Sequence, residues 1–399
     1  MNTCYIYDTI RTPRGKGKKE GALHQTSSLN LILTCLNHLF DKHQQVQQIE
    51  ECIFGCVMPT NEQGGNIARA AVLASQLPNQ CGGIQLNRFC SSGLDAINMV
   101  ASNIKSGTYE LAIAGGVESM SRVPMMSDGG AMLADPQVAY DHQIIPQGVA
   151  ADLIATQSGY QRQQLDEWAV LSHARAHQAQ TDGCFQSSIV PVRDPNHQII
   201  LSQDECIREH CSLAGMKSLQ PAFEMMAEMA GFDHLVCEKY PEVERVIHHH
   251  HAGNSSAIAD GACALLMGKR HKGLKPRARI IGFAQCAGDP TIMLTQPAHA
   301  AHKALKSCGL TPKDIDIWEI NEAFSSVVLH TMDQLDLQPN QVNCHGGAIA
   351  MGHPLGATGA ILVAQALDLL EQQRKKRALI TLCTALGMGV ATIIERIDS

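Results

Sequence analysis

Three side chains able to move protons or act as nucleophiles, Cys90, His353 and Cys383, and one able to polarise a carbonyl, Asn321, stand where strand-like runs give way to loops. Cys90 lies in Asn87-Arg88-Phe89-Cys90-Ser91-Ser92-Gly93, between strand-like Gly83–Leu86 and an amphipathic run of Leu94, Ile97, Val100 and Ile104. A thiol there feels the positive end of a helix dipole, which lowers its pKa and favours the nucleophilic thiolate. An inert core thiol is the competing account. His353 sits in the glycine-rich stretch Gly346-Gly347-Ala348-Ile349-Ala350-Met351-Gly352-His353-Pro354-Leu355-Gly356-Ala357-Thr358-Gly359. Glycines let backbone approach backbone or ligand, so a phosphate loop is the rival. The stretch lacks the Lys-Ser/Thr of a P-loop and the spacing of a dinucleotide fingerprint. An imidazole locked beside Pro354 suits general-base chemistry better. Asn321, in Asn321-Glu322-Ala323-Phe324, either orients a water or polarises a carbonyl, or else caps a helix. Cys383 ends an apolar run before Thr384-Ala385-Leu386-Gly387-Met388-Gly389, as a reactive or a core thiol.

The elements that must position these groups follow from periodicity. Strand-like Cys4–Tyr7, Cys52–Val57, Gly83–Leu86 and Leu111–Ala114 alternate with helical spacing such as Leu29, Ile32, Leu33, Leu36, Leu39 and Phe40. Strands Ala278–Phe283, Ile315–Glu319, Ala378–Cys383 and Val390–Glu395 alternate with helices Pro297–Cys308, Glu322–Leu335 and Ala360–Leu370 in the last third. Thr311-Pro312 reads as an N-cap followed by proline at the first helical position. Such alternation implies βαβ units and a largely parallel sheet. The two ends look like copies: Leu86–Gly93 matches Val342–Gly359, and Leu111–Gly116 matches Leu379–Gly389. Residues 122–247 break the pattern, with helices expected over Gly148–Ser158 and Gln163–Gln180. They read as an insertion folded over one end of the first sheet, where α/β ligand sites gather. The expected units are 1–121 completed by 248–270, the inserted loop domain 122–247, and 271–399.

Bulk composition narrows the function. With 45% hydrophobic and 17% charged residues, the 399-residue chain can form large globular cores. Aromatics at 4% and a net charge of −7 argue against a nucleic-acid platform. The basic run Arg374–Arg377 reads as a solvated helix end. Neither a signal-peptide core nor a membrane span is expected. Fifteen cysteines then point to free thiols in a reducing compartment, the cytoplasm. The pairs Cys52/Cys56 and Cys206/Cys211 lack zinc-site spacing, and a strand at His248–His251 would turn alternate imidazoles opposite ways, so no metal is expected.

Taken together and in order, these segments resemble the thiolase family. The Cys90 loop is similar to its nucleophile loop, Gly115-Gly116-Val117-Glu118-Ser119-Met120-Ser121 to its next strand end, and His251-Ala252-Gly253-Asn254-Ser255-Ser256 to the return into the first core unit. The Asn321, His353 and Cys383 segments complete the set. The resemblance runs the whole length and implies an α/β fold with duplicated βαβαβαββ core halves, layered α-β-α-β-α, plus the loop domain. It implies an acetyl-CoA C-acyltransferase that moves acyl groups between 3-oxoacyl-CoA and CoA by a ping-pong route, in fatty-acid β-oxidation or in the reverse Claisen condensation. By resemblance, Cys90 accepts the acyl group, His353 takes its proton and Cys383 is the acid/base at the α-carbon. Asn321, through a water, and His353 bind the enolate oxygen, and the Cys90 and Ala385 N–H groups bind the acyl-enzyme oxyanion. Ser256 resembles a pantetheine contact, Met293 an acyl contact and Lys217 a CoA phosphate contact. Acyl-CoA and CoA are substrates, with no cofactor or metal. A homodimer or homotetramer is implied, and a fatty-acid oxidation partner enzyme is compatible with it.

Several positions depart from the family pattern. The family usually carries C-x-G-G-G at the second cysteine, whereas Cys383 is followed by Thr384-Ala385-Leu386-Gly387, so a positive φ at Ala385 would cost ~1–2 kcal/mol in a non-glycine. Pro146-Gln147-Gly148, Leu294 and Gln296 replace residues common elsewhere near the acyl chain. The rivals are a carrier-protein ketosynthase, against which the second cysteine strand argues, and a CoA-thioester binding protein that has lost catalysis.

Overall fold

The computed structural model of the chain describes residues 2–43, 47–131 and 135–397. Its strands are β1 Cys4–Arg11, β2 Gly15–Lys16, β3 Glu51–Gly55, β4 Gly82–Leu86, β5 Leu111–Ser119, β6 Val192–Arg193, β7 Ile199–Leu201, β8 Ala259–Gly268, β9 Ala278–Ala287, β10 Ile317–Ile320, β11 Arg377–Thr384 and β12 Met388–Arg396. The helices positioning the site are α1 Ser28–Lys42, α2 Ile67–Ala74 and α3 Ser92–Ser106 in the first third. Then come α4 Pro136–Asp141, α5 Gln147–Ser158, α6 Arg162–Thr181, α7 Leu213–Met216, α8 Glu224–Ala230 and α9 Phe232–Lys239. The last are α10 Gln296–Ser307, α11 Ser325–Leu335, α12 Ala348–Met351 and α13 Leu355–Gln372.

The main sheet runs β10-β11-β12-β9-β1-β8-β5-β3-β4, with β2 beside β8. Read outward from the central β1–β9 pair, the halves repeat: β1-β8-β5-β3-β4 on one side, β9-β12-β11-β10 on the other. The counterpart of β4 is reduced to a single bridge between Trp318 and Val342. The sheet is mixed rather than largely parallel. Pairs β3–β4, β3–β5 and β10–β11 are parallel, whereas β1–β8, β5–β8, β11–β12, β9–β12 and β1–β9 are antiparallel. Helical crossovers make the parallel pairs, β12 returns by a short turn, and β8 returns antiparallel after the segment between Ser119 and Ala259.

Three apolar clusters build the layers. Helices α3 and α13 bury Leu94, Ile97, Val100, Ile361 and Leu367 against strands of both halves. Helices α1 and α2 cover the outer face of the first half, and α10 and α11 that of the second. The sequence of layers is therefore α-β-α-β-α. Helices α5 and α6 pack on α11 and α12 of the second half, while Ser188 and Val190 hydrogen-bond the Arg11 backbone at 2.8 and 2.9 Å. Residues 122–247 thus lean on both halves, not on one end of the first sheet.

Two local expectations change. Residues 248–251 are a loop, because the Asp152 carboxylate takes the His249 and His250 N–H groups, both at 2.9 Å, that a ladder would use. Thr311-Pro312 starts only a short 3-10 turn, Pro312–Asp314. Among the described residues, no helix is long and apolar enough to cross a membrane.

Candidate active site

Close backbone packing brings the Cys90 and His353 loops together. A Cβ on Gly93 would lie 2.6 Å from the Gly356 carbonyl oxygen, and one on Gly359 would lie 2.4 Å from the Leu94 nitrogen. The starts of α3 and α13 therefore touch as bare backbone. Glu118 on β5 fastens this corner. It is fully buried and accepts N–H bonds from Val57, Met58, Gln63 and Gly356 at 2.8–3.1 Å. The Gly356 N–H is one of the helix-start donors that α13 cannot satisfy internally.

Cys90 precedes Ser91, the N-cap of α3, and packs with Val57, Met58, Met120, Val123 and Leu355. Phe89 before it has φ +47°, and the turn is pinned by Ser92 Oγ, which accepts from Arg88 N–H at 2.8 Å and donates to the Phe89 carbonyl. Burial pushes the Cys90 thiol up to about 12, with Glu118 acting the same way. The dipole-lowered thiolate expected from the sequence is therefore not the resting state. A helix terminus contributes at most ~2 kcal/mol, less than the cost of burying the anion.

His353 is nearly buried and tethered at both ring nitrogens. Its Nδ1 lies 2.6 Å from Thr358 Oγ1, and that hydroxyl donates to the Pro354 carbonyl at 3.0 Å. The oxygen is left to accept, so the proton sits on Nδ1 and the lone pair on Nε2. Nε2 lies 3.4 Å from Asn321 Nδ2. Burial, then Arg14, lowers the imidazole to about 3, so the ring is a neutral base. Thr358 was not singled out in the sequence, although its place five residues after His353 at a helix start was the available signal.

Asn321 does not cap a helix, since α11 begins at Ser325 with Phe324 as N-cap. Its neighbour Glu322 is the anchor, taking bonds from Trp168, Ser172, Asn343 and the Ile349 N–H. Cys383 is 1% exposed and packs with Met293, Leu294, Ala323, Phe324 and Val149. Burial raises its pKa, and the nearby Cys90 thiol raises it further. The two thiols and the Asn321–His353 pair thus share one buried region. Ala385 has ordinary backbone geometry, and the positive φ falls on Leu386, at +60°.

The outer candidates separate. Ser256 N–H donates to the Ala323 carbonyl at 2.9 Å, beside the Asn321 segment, and Met293 is buried at φ +34° against Cys383. Lys217 is exposed just past α7, as its C-cap. Among the described residues, no group of three His, Cys, Asp or Glu side chains could hold a metal ion.

Comparison with known proteins places this geometry in a family. Residues 4–229 match the thiolase N-terminal domain and residues 274–396 the thiolase C-terminal domain. A 3-ketoacyl-CoA thiolase of Vibrio cholerae serotype O1 is 37% identical, covering 99% of this chain and 100% of its own. One of Idiomarina loihiensis is 34% identical, covering 100% of both chains. The crystal structure of the Bacillus anthracis acetyl-CoA acetyltransferase superposes with a TM-score of 0.85 at 30% identity, over 100% of this chain and 99% of that one. The chain belongs to the thiolase family of enzymes.

Proposed function

We propose that the chain is an acetyl-CoA C-acyltransferase that cleaves 3-oxoacyl-CoA with CoA, and runs the reverse condensation, through an acyl-enzyme on Cys90. The observation carrying this is the meeting of the Cys90 and His353 loops, with the Cys383 thiol near that of Cys90 and a neutral histidine whose Nε2 lone pair is set by Thr358. Because Cys90 rests as a thiol, its proton passes to His353 Nε2 as sulfur attacks the 3-oxo carbon. The C2–C3 bond then breaks, leaving the acyl group on Cys90 and the acetyl-CoA enolate. Asn321, through a water, and His353 hold the enolate oxygen, while Cys383 delivers a proton to its carbon. Cys383 next takes the proton of incoming CoA, whose sulfur attacks the thioester. The Cys90 and Ala385 amides hold that oxyanion, and the departing Cys90 sulfur recovers its proton from His353. The thioester itself activates the α-carbon, so the reading calls for no metal or prosthetic group.

Ser256 and Met293 are read as pantetheine and acyl contacts, and Lys217 as a CoA phosphate contact. The compartment is read as the cytoplasm, in keeping with fifteen free cysteines. A homodimer or pair of dimers is read from β4, which ends the sheet with only β3 alongside and offers an edge to a second copy. A second enzyme of fatty-acid oxidation is compatible as a partner.

The test is thiolysis of acetoacetyl-CoA and 3-oxohexadecanoyl-CoA, followed by loss of the 3-oxoacyl absorbance. Cleavage is expected, and the ratio ranks chain lengths. CoA binding without cleavage of either would leave the non-catalytic reading standing instead. Intact-protein mass spectrometry should show no acyl adduct on Cys90→Ser, while Cys383→Ser still acylates but does not condense. Equal acylation of wild type and Cys90→Ser would overturn the role of Cys90.

A further inference from the structure

A buried ion cluster lies behind the His353 loop, outside the reacting groups. Arg11 and Arg14, at the end of β1 and in the turn after it, are both fully buried. Arg11 grips Asp204 with two hydrogen bonds, 2.8 and 2.9 Å. Arg14 reaches the same carboxylate through one nitrogen at 3.4 Å, although its backbone N–H donates to Asp204 at 2.8 Å. Two cations therefore share one close anion where water is excluded, an arrangement costly to keep for packing alone.

The rest of the Arg14 fork points at the histidine loop. Nη1 donates to the Gly352 carbonyl at 3.3 Å, and Nη2 donates to Gln365 at 3.0 Å and meets Met351 Sδ at 3.0 Å. Gly352 immediately precedes His353 and has φ +99°, a conformation that leaves its carbonyl direction to be fixed from outside. The neighbouring Ala257 carbonyl takes the His353 N–H at 2.8 Å, so Arg14 and the chain before β8 hold the histidine from opposite sides of one peptide.

We propose that Arg14 is a positioning residue for His353, fixing the Gly352 peptide whose N–H belongs to the histidine. The proposal rests on the thiolase reading of His353 as general base. The other ionisable groups around the loop are Glu118, bonded to the Gly356 N–H, Glu319 on β10, and the thiols of Cys90, Cys383 and Cys206. Among the described residues, Arg14 is the charged side chain that acts on the imidazole. Glu319 is buried with neither oxygen partnered, and burial holds it towards its neutral form, so it offers no fixed countercharge.

Arg14→Met and Arg14→Lys test this. Arg14→Met should fold, because Asp204 keeps both bonds to Arg11. Its kcat should fall about tenfold or more, with the KM for CoA within about twofold, as expected for lost base positioning. The acid limb of its kcat profile should move up by about one pH unit. Arg14→Lys keeps the charge without the fork, so it should restore the acid limb while recovering only part of kcat. The pH dependence of Cys90 alkylation by iodoacetamide, read by peptide mass spectrometry, should show the same ordering without any turnover. Coincident alkylation and kcat profiles for wild type and Arg14→Met would overturn the proposal, as would a kcat loss that only tracks melting temperature. Absence of thiolysis in the wild type strikes the thiolase reading, while the alkylation profiles still judge Arg14.

Discussion

At the scale of single residues, the site is set by hydroxyls and backbone conformation as much as by its titrating groups. Thr358 fixes which nitrogen of His353 carries the proton. Thr358→Val keeps the shape but strands the Nδ1 proton in a buried site, so kcat should fall at least about tenfold. Thr358→Ser should stay within about threefold, and equal losses in both variants would make the contact one of packing only. Leu386 carries the strain that the missing glycines were expected to place on Ala385. A left-handed, half-buried leucine costs ~1–2 kcal/mol, whereas asparagine tolerates that region. Leu386→Asn should raise stability by about 0.5–1 kcal/mol in chemical denaturation. A drop would mean that leucine packing outweighs the backbone strain. Cys90, Asn321, His353 and Cys383 could be picked out because each stands where a strand-like run gives way to a loop or in a glycine-rich stretch. Arg14 could not, since its partners Asp204 and Gly352 are contacts that only the fold creates, and Thr358 was signalled only by its place five residues after His353.

At the scale of elements, most strands and helices of the two ends could be read from periodicity to within a few residues, but that reading misses β8 as a strand, and strand direction could not be read at all. A period of two is the same for parallel and antiparallel neighbours, so the returning strands β8 and β12 were invisible as such. The His248–His251 run failed for another reason. It reads as a strand, yet Asp152 on α5 accepts both backbone donors and bonds the Nδ1 atoms of His248 and His250, at 2.8 and 2.6 Å. Asp233 on α9 holds the other nitrogen of His248 at 3.1 Å, tying α5, α9 and the loop together. These two carboxylates outweigh burial and raise His248 from 6.5 to about 9. A raised histidine contributes stability that is whole below pH about 6.5 and is lost as pH climbs through about 9. Asp152, depressed against burial by its histidine bonds from 3.8 to about 2, gives stability that is whole above pH about 3.8 and is lost as pH falls through about 2. Wild type should therefore exceed His248→Gln by about 2 kcal/mol near pH 6, with the gap closing towards pH ~9.5. Urea denaturation at several pH values measures it, and a gap independent of pH would assign His248 to packing.

At the scale of the whole molecule, duplication turns a pair of ordinary helix starts into one buried corner that holds the candidate site. Both α3 and α13 follow the same strand-and-loop pattern, and the β1–β9 pairing faces the two halves so that these helices meet between their strands. The repeat was visible in the sequence as two glycine-bearing loops before long helices. That the loops would meet was not, because it depends on which face each copy turns inward. The meeting distance is set by absent side chains, which makes it testable. In Gly359→Ala the new Cβ would lie 2.4 Å from the Leu94 nitrogen and 2.7 Å from its Cβ, contacts the backbone cannot accept unmoved. Helices α3 and α13 must then separate at their starts, carrying Cys90 away from His353. Overpacking of this kind costs about 1–3 kcal/mol, and misplacing reacting groups by about 1 Å can cost ~100-fold in rate. Gly359→Ala should thus lose far more kcat than stability, measured by thiolysis and by chemical denaturation of the same preparation. Ala360→Gly, one residue on, relieves no contact between the helix starts and should lower stability by about 1 kcal/mol with kcat nearly unchanged. If both variants lose rate only in proportion to folded fraction, the corner has slack, and the distance between the two copies is not what tunes the chemistry.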